Sequence, residues 1–178
     1  MHAQQTVEII LGFVAFLALA YLGLGVYLRN PKSHTNQLFL LLSALQAAHI
    51  VTNYLSLHPP VDTAEQQLFW IRMVVVIGAF AGPVVFLLVH TFPKDKVTLK
   101  NPFLAGIITL AFVSGLIAMS PLLFSGITYQ DGQAIPIPGV GAPLYIFDVA
   151  GMFLISIVLL IFKYFKAKGE DRIKLFYL

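Results

Sequence analysis

The sequence predicts an all-α membrane bundle: five complete transmembrane helices, N-terminus outside, C-terminus inside, and a small extracellular β-hairpin before the fifth helix. Three observations predict it. The 178 residues are 58% hydrophobic and only 11% charged, with a mean hydropathy of +0.86, too apolar for an ordinary soluble domain. Five apolar runs, at about residues 7–28, 37–57, 68–92, 102–124 and 143–165, each reach the ~20 residues that cross ~30 Å of hydrocarbon at ~1.5 Å per residue. The basic residues alternate between the gaps. Arg29 and Lys32 follow the first run, Lys94, Lys96 and Lys100 the third, and Lys163, Lys166, Lys168, Arg172 and Lys174 the fifth. The gaps around Asp62 and Glu65 and around Asp131 hold no Lys or Arg. Cations on alternate loops are the positive-inside pattern, which gives span count and orientation together.

The first run is read as a retained span. No Lys or Arg precedes Val7, and the run is longer than a secretory apolar core and continues into Tyr27-Leu28-Arg29. In the loop at 29–36, Pro31 cannot extend the first helix, and Ser33, Thr35 or Asn36 can cap the second. The loop at 91–101 repeats that chemistry, with Asn101 expected as N-cap and Pro102 as the first helical residue. Loops this short force consecutive helices to lie antiparallel and adjacent. In the longest gap, at 125–142, residues 127–129 and 134–137 flank Gln130-Asp131-Gly132-Gln133. Asp-Gly is a two-residue hairpin signal, and Pro136 argues for an edge strand. After Arg172 and Lys174 the chain turns apolar again, so residues 173–178 are expected to open a sixth span and the chain to be a piece of something longer.

Several function classes are excluded. With no Cys there is no disulfide, thiolate metal site or Cys nucleophile. His2, His34, His49, His58 and His90 are scattered without an i,i+4 pair, so no metal site is expected. No glycine-rich phosphate loop, nucleophile motif or catalytic carboxylate pair occurs, so neither catalysis nor a cofactor is expected. The net charge of +3 is dispersed in cuffs, which suits anionic lipid and not nucleic acid.

Ionisable groups within spans are costly, about 2.5–3.5 kcal/mol at mid-membrane, so they face protein or water. Arg72, Asp148 and Glu8 all fall in the outer leaflet, and a pairing of Arg72 with Asp148 or Glu8 would relieve both partners. Gln46, His49, Asn53 and Ser56 share one face of the second helix. Two readings stand side by side: interhelical hydrogen bonds that only hold helices together, or a water-accessible pocket of His49, Asn53, Arg72, Asp148 and Glu8. The segment 78–83 and Ser120-Pro121 are packing points or hinges.

A set of short motifs extends over nearly the whole chain. Arg29-Asn-Pro-Lys-Ser33, Asn36 and Phe39, then Asn53-Tyr54, Trp70-Ile-Arg72 and Phe92-Pro93, then Tyr164-Phe-Lys166 and Gly169-Glu-Asp-Arg172 resemble the N-terminal seven-transmembrane region of bacterial sensor histidine kinases. That resemblance implies a single sensory transmembrane domain over 1–178, two helices beyond the fifth, and a cytoplasmic kinase or other output domain beyond this chain. It also implies residence in the bacterial cytoplasmic membrane, a small-molecule or membrane-borne stimulus, and homodimerisation through downstream regions. The rival class is a small transporter or channel subunit, in which intramembrane His, Arg and Asp would line a path. Against it, the charges stop in the outer half and no inverted repeat occurs. An assembly factor is a third class, favoured only by the lack of catalytic motifs.

The charge alternation makes orientation testable. Single cysteines placed at positions 62 and 131 should react with an impermeant reagent added outside, and cysteines at 32, 96 and 168 should not. Labelling at position 96 from outside would overturn the orientation.

Overall fold

The computed structural model describes residues 2–61, 63–97, 99–130, 133–167, 169 and 171. It is mostly helical: α1 (His2–Arg29), α2 (His34–Leu57), α3 (Ala64–Thr91) and α4 (Asn101–Met119) precede a hairpin of β1 (Phe124–Gln130) and β2 (Gln133–Pro138), and α5 (Ala142–Lys166) follows it. All five helices are long and apolar enough to cross a membrane, as in a multi-pass membrane protein. The segment expected to open a sixth span lies outside the described residues.

Local chemistry sets most boundaries. Ser33 caps α2, its Oγ accepting from the Asn36 amide at 3.2 Å. The Asn36 side chain turns back to close α1, donating to the carbonyls of Val26 at 2.9 Å and Asn30 at 3.2 Å. Thr63 caps α3 in the same way through the Gln66 amide. In α4 the cap moves one residue from the expected Asn101: Lys100 takes that position, without a side-chain cap bond, and the helix begins at Asn101.

The fourth span corrects the sequence reading more substantially. Apolarity suggested a helix to residue 124, but α4 stops at Met119 and Phe124 opens β1. Ser120-Pro121 is the cause. Pro121 has no N–H to continue the helical ladder, and Ser120 Oγ donates to the Ile117 carbonyl and accepts from the Leu122 amide, turning the chain. The apolar residues 122–124 belong to this corner, with Leu123 only 2% exposed.

The hairpin is longer than expected but keeps its register. Gln130 pairs with Gln133, Thr128 with Ile135 and Ile127 with Pro136, with an irregularity between Phe124 and Gly126. The turn at Asp131 and Gly132 lies outside the described residues, as do Asp62, Lys168, Arg172 and Lys174.

Burial is uneven, and that defines the architecture. Half of the apolar window of α3 is buried, against 6% in α1 and 11% in α5. Helix α3 is the axis: α2, α4, α5 and the hairpin pack on it, while α1 packs on α2. Gly78 and Gly82 lie on the α3 face that meets α5. A Cβ on Gly78 would lie 2.6 Å from the Tyr145 hydroxyl, and one on Gly82 would lie 3.3 Å from Met152 Cβ. The absence of those carbons lets Tyr145 donate to the Val75 carbonyl at 3.0 Å. The segment 78–83 is thus a close-packing surface, and α3 continues through it to Thr91.

At the end of the bundle opposite the hairpin, Lys163 on α5 donates to the carbonyls of Val89 at 2.8 Å, His90 at 2.5 Å and Phe92 at 2.7 Å. These carbonyls belong to the last turn of α3 and its C-cap Phe92, where helical acceptors lack intrahelical partners, and an ammonium offers three donors to a negative dipole end. Replacing Lys163 with Met should therefore destabilise the bundle by about 1.5–3 kcal/mol, read as a lower unfolding midpoint in lipid nanodiscs. Lys163→Arg should recover part of that loss. An unchanged midpoint for Lys163→Met would show that the carbonyls do not need the ammonium.

Candidate functional site

The five residues singled out from sequence fall into three separate places. Glu8, His49 and Asn53 line one groove between α1 and α2, of about 670 Å³. Its walls are otherwise apolar, with Ile9, Phe13, Phe16 and Ile50 among them. The groove lies in the half of the bundle that carries the hairpin, with His49 about 12 Å along α2 from its end at Leu57. At its rim Glu8 Oε2 sits 3.5 Å from His58 Nε2, and the His58 ring packs against Tyr54 with centroids 4.8 Å apart. The α2 stripe divides there. Ser56 is buried and donates to the Asn53 carbonyl at 2.7 Å, satisfying itself within its own helix.

Arg72 is elsewhere. Its Nη2 donates to the Phe124 carbonyl at 2.6 Å, at the start of β1. The expected pairing with Asp148 or Glu8 is not made, because a backbone carbonyl of the corner after α4 takes the guanidinium. A second contact adds to the docking of the hairpin, from the Tyr129 hydroxyl to Gln67 Oε1 at 2.9 Å. So Arg72 and Gln67, both on α3, hold the hairpin against the bundle.

Asp148 occupies the third place. It is fully buried on α5, as is Ser114 on α4, and among the described residues neither side chain has an aligned hydrogen-bond partner. Among the described residues no group of three or more His, Cys, Asp and Glu is arranged to hold a metal.

Residues 10–178 match the family described as the N-terminal 7TM region of histidine kinase. The chain belongs to that family. The match takes in almost the whole chain, and no kinase domain is present within it. No curated protein and no solved structure matches the chain.

The opposite end of the bundle carries a second polar arrangement, which sequence reasoning passed over. Asp95 Oδ1 accepts from the Ser33 hydroxyl at 2.9 Å and the Thr35 amide at 2.8 Å. Its φ of 54° is in the left-handed region, which Asp tolerates better than most residues. Burial acts to raise the pKa of this carboxyl, but the hydrogen bonds from Thr35 and Ser33 and the nearby His34 outweigh it and hold it below its ordinary value. A charged carboxylate therefore stands at the N-terminus of α2, where the helix dipole favours it. With Lys163 on the end of α3, this ties α2, α3 and α5 together at one level. Two signals were available in the sequence: Asp95 is the one acid among Lys94, Lys96 and Lys100, and Lys163 interrupts an apolar run.

The separation of Arg72 from Asp148 has a measurable consequence. Arg72→Leu should cost about 1.5–3 kcal/mol and speed amide exchange in β1 and β2 while the helices persist. Combined with Asp148→Asn, the double variant should cost what Arg72→Leu costs alone, within about 0.5 kcal/mol. A larger coupling would place the two side chains together after all.

Proposed function

We propose that this chain is the sensory input region of a membrane signalling protein, inserted in a bacterial cytoplasmic membrane with its hairpin outside and its basic end in the cytoplasm. The stimulus acts in the groove of Glu8, His49 and Asn53, and the response leaves through α5 toward an output domain. The observation that carries this reading is the pairing of an open groove at one end with a tied set of helix ends at the other. A change in how α1 lies on α2 shifts α2. Asp95 passes that shift to the loop after α3, and Lys163 passes it to α5. Such a chain of contacts switches only if an occupant of the groove favours one packing over another.

The polar groups of the spans support an input region over a conduit. They stand in three separate places and do not form one line between the two ends. The same reading includes a second copy joined through downstream regions, and anionic lipid around the basic end.

The groove can be tested without knowing the stimulus, because the chain has no cysteine of its own. Gly12 and Ile50 face each other across it, with a Cβ on Gly12 3.5 Å from Ile50 Cγ2. The double variant Gly12→Cys, Ile50→Cys is within disulfide reach. Fused to a histidine kinase core, the oxidised form should change autophosphorylation several-fold in membrane vesicles, and reductant should reverse the change. Output indifferent to that cross-link would rule out the groove as the input point.

A further inference from the structure

The packing of α3, α4 and α5 encloses a carboxyl group that nothing among the described residues neutralises. Asp148 is 0% exposed, and both of its oxygens lack a hydrogen-bond partner. Among the described residues it makes no ion pair. Ser114 on α4 is likewise 0% exposed with an unpartnered Oγ, and it lies close enough to act on the carboxyl without being aligned to it.

The charged and titratable groups on the three surrounding helices are engaged elsewhere or distant along the helix. On α3, Arg72 is committed to the Phe124 carbonyl, Glu65 stands in the first turn and His90 in the last. Residues 102–119 of α4 contain no titratable side chain. On α5, Tyr145 is one turn away and donates to the Val75 carbonyl, while Lys163, Tyr164 and Lys166 stand at the opposite end.

A bare carboxylate in such a place is strongly disfavoured relative to the neutral acid. A metal ion fits poorly, because hard cations take about six or more oxygen ligands and two side chains supply three here. A proton needs only one covalent bond to oxygen, and it gives the acid a donor that a serine hydroxyl accepts.

We propose that Asp148 is a proton-binding site: its carboxyl carries a proton at neutral pH and donates it to Ser114 Oγ across the α4–α5 contact. Losing that proton would leave an unpaired charge among three helices, so the packing of α5 depends on whether the site is occupied. The site stands about 9 Å along α5 from Ala142, on the hairpin side. It therefore makes the bundle responsive to pH at that face. The proposal stands without the sensory reading, because its test detects the proton directly.

The full chain in phosphatidylcholine vesicles should show at neutral pH the infrared C=O stretch of a protonated, poorly solvated carboxylic acid, shifted by deuterium exchange. Asp148→Asn, nearly isosteric with the neutral acid, should lose that band and keep the wild-type unfolding midpoint. Glu8→Gln should keep the band. Ser114→Ala should keep it and move it to higher frequency through loss of the acceptor, which supports the pairing even if the Asn variant folds poorly. A wild-type spectrum without the band at neutral pH, or the same band in Asp148→Asn, would overturn the proposal. So would an unfolding midpoint raised by sodium in the wild type alone with no acid band, which would assign the site to a metal cation.

Discussion

The close approach of α5 to α3 is the contact on which the remaining arrangement rests. Lipid is as apolar as leucine, so helices in a membrane gain little from hiding apolar surface and are held by fit and by polar contacts. Gly78 and Gly82 supply the fit, since a Cβ at Gly78 would strike the Tyr145 hydroxyl and one at Gly82 would crowd Met152. Tyr145 and Lys163 supply polar contacts at different levels of the same interface. With α5 seated there, Asp148 and Ser114 are sealed in, and the corner at Leu122 and Leu123 can receive the chain returning from the hairpin. That return is fixed by the amides of Gly139 and Gly141, which donate to the carbonyls of Leu123 and Leu122.

The two ends of the bundle are built from different chemistry. At the basic end, charges act on helix termini: Asp95 on the start of α2 and Lys163 on the end of α3, each satisfying backbone groups that a helix leaves open. At the hairpin end, the guanidinium of Arg72 serves one strand carbonyl, and a glutamate–histidine contact closes the rim of a groove. The first arrangement joins three helix ends. The second leaves α1 packed chiefly on α2, with most of its apolar window facing outward. Under the proposed reading this asymmetry is useful, because the loosely held helix borders the groove and the tied helix ends stand where the response leaves.

Helices and their order were legible because hydropathy over ~20 residues is a long-range signal that one residue cannot erase. The hairpin was legible from Asp-Gly between apolar stretches. The end of α4 was not, because residues 120–124 are as apolar as a span, and only the chemistry of Ser120-Pro121 reveals the turn. The site residues were identified as ionisable or polar groups within spans, a criterion that marks unusual positions but not partners. Glu8, His49 and Asn53 do share a groove. Arg72 did not meet the expected carboxylate because a backbone carbonyl, which carries no sequence signature, took its place. Lys163 and Asp95 escaped notice for a related reason, since positive-inside counting treats every flanking cation as equivalent and passes over an acid among them.

Backbone carbonyls as partners for cations explain why hydropathy marks the spans of this chain but does not assemble them. Arg72 and Lys163 both donate to main-chain oxygens, and neither contact needs a complementary acid. The consequence for the acids is that Asp148 has no counter-charge among the described residues. A structural ion pair would have made Asp148 permanently charged and indifferent to its surroundings. Without one, the cost of its charge falls on the packing of α3, α4 and α5, and whatever neutralises it helps to set that packing. The interface that holds the bundle together thus also contains the group whose state can loosen it.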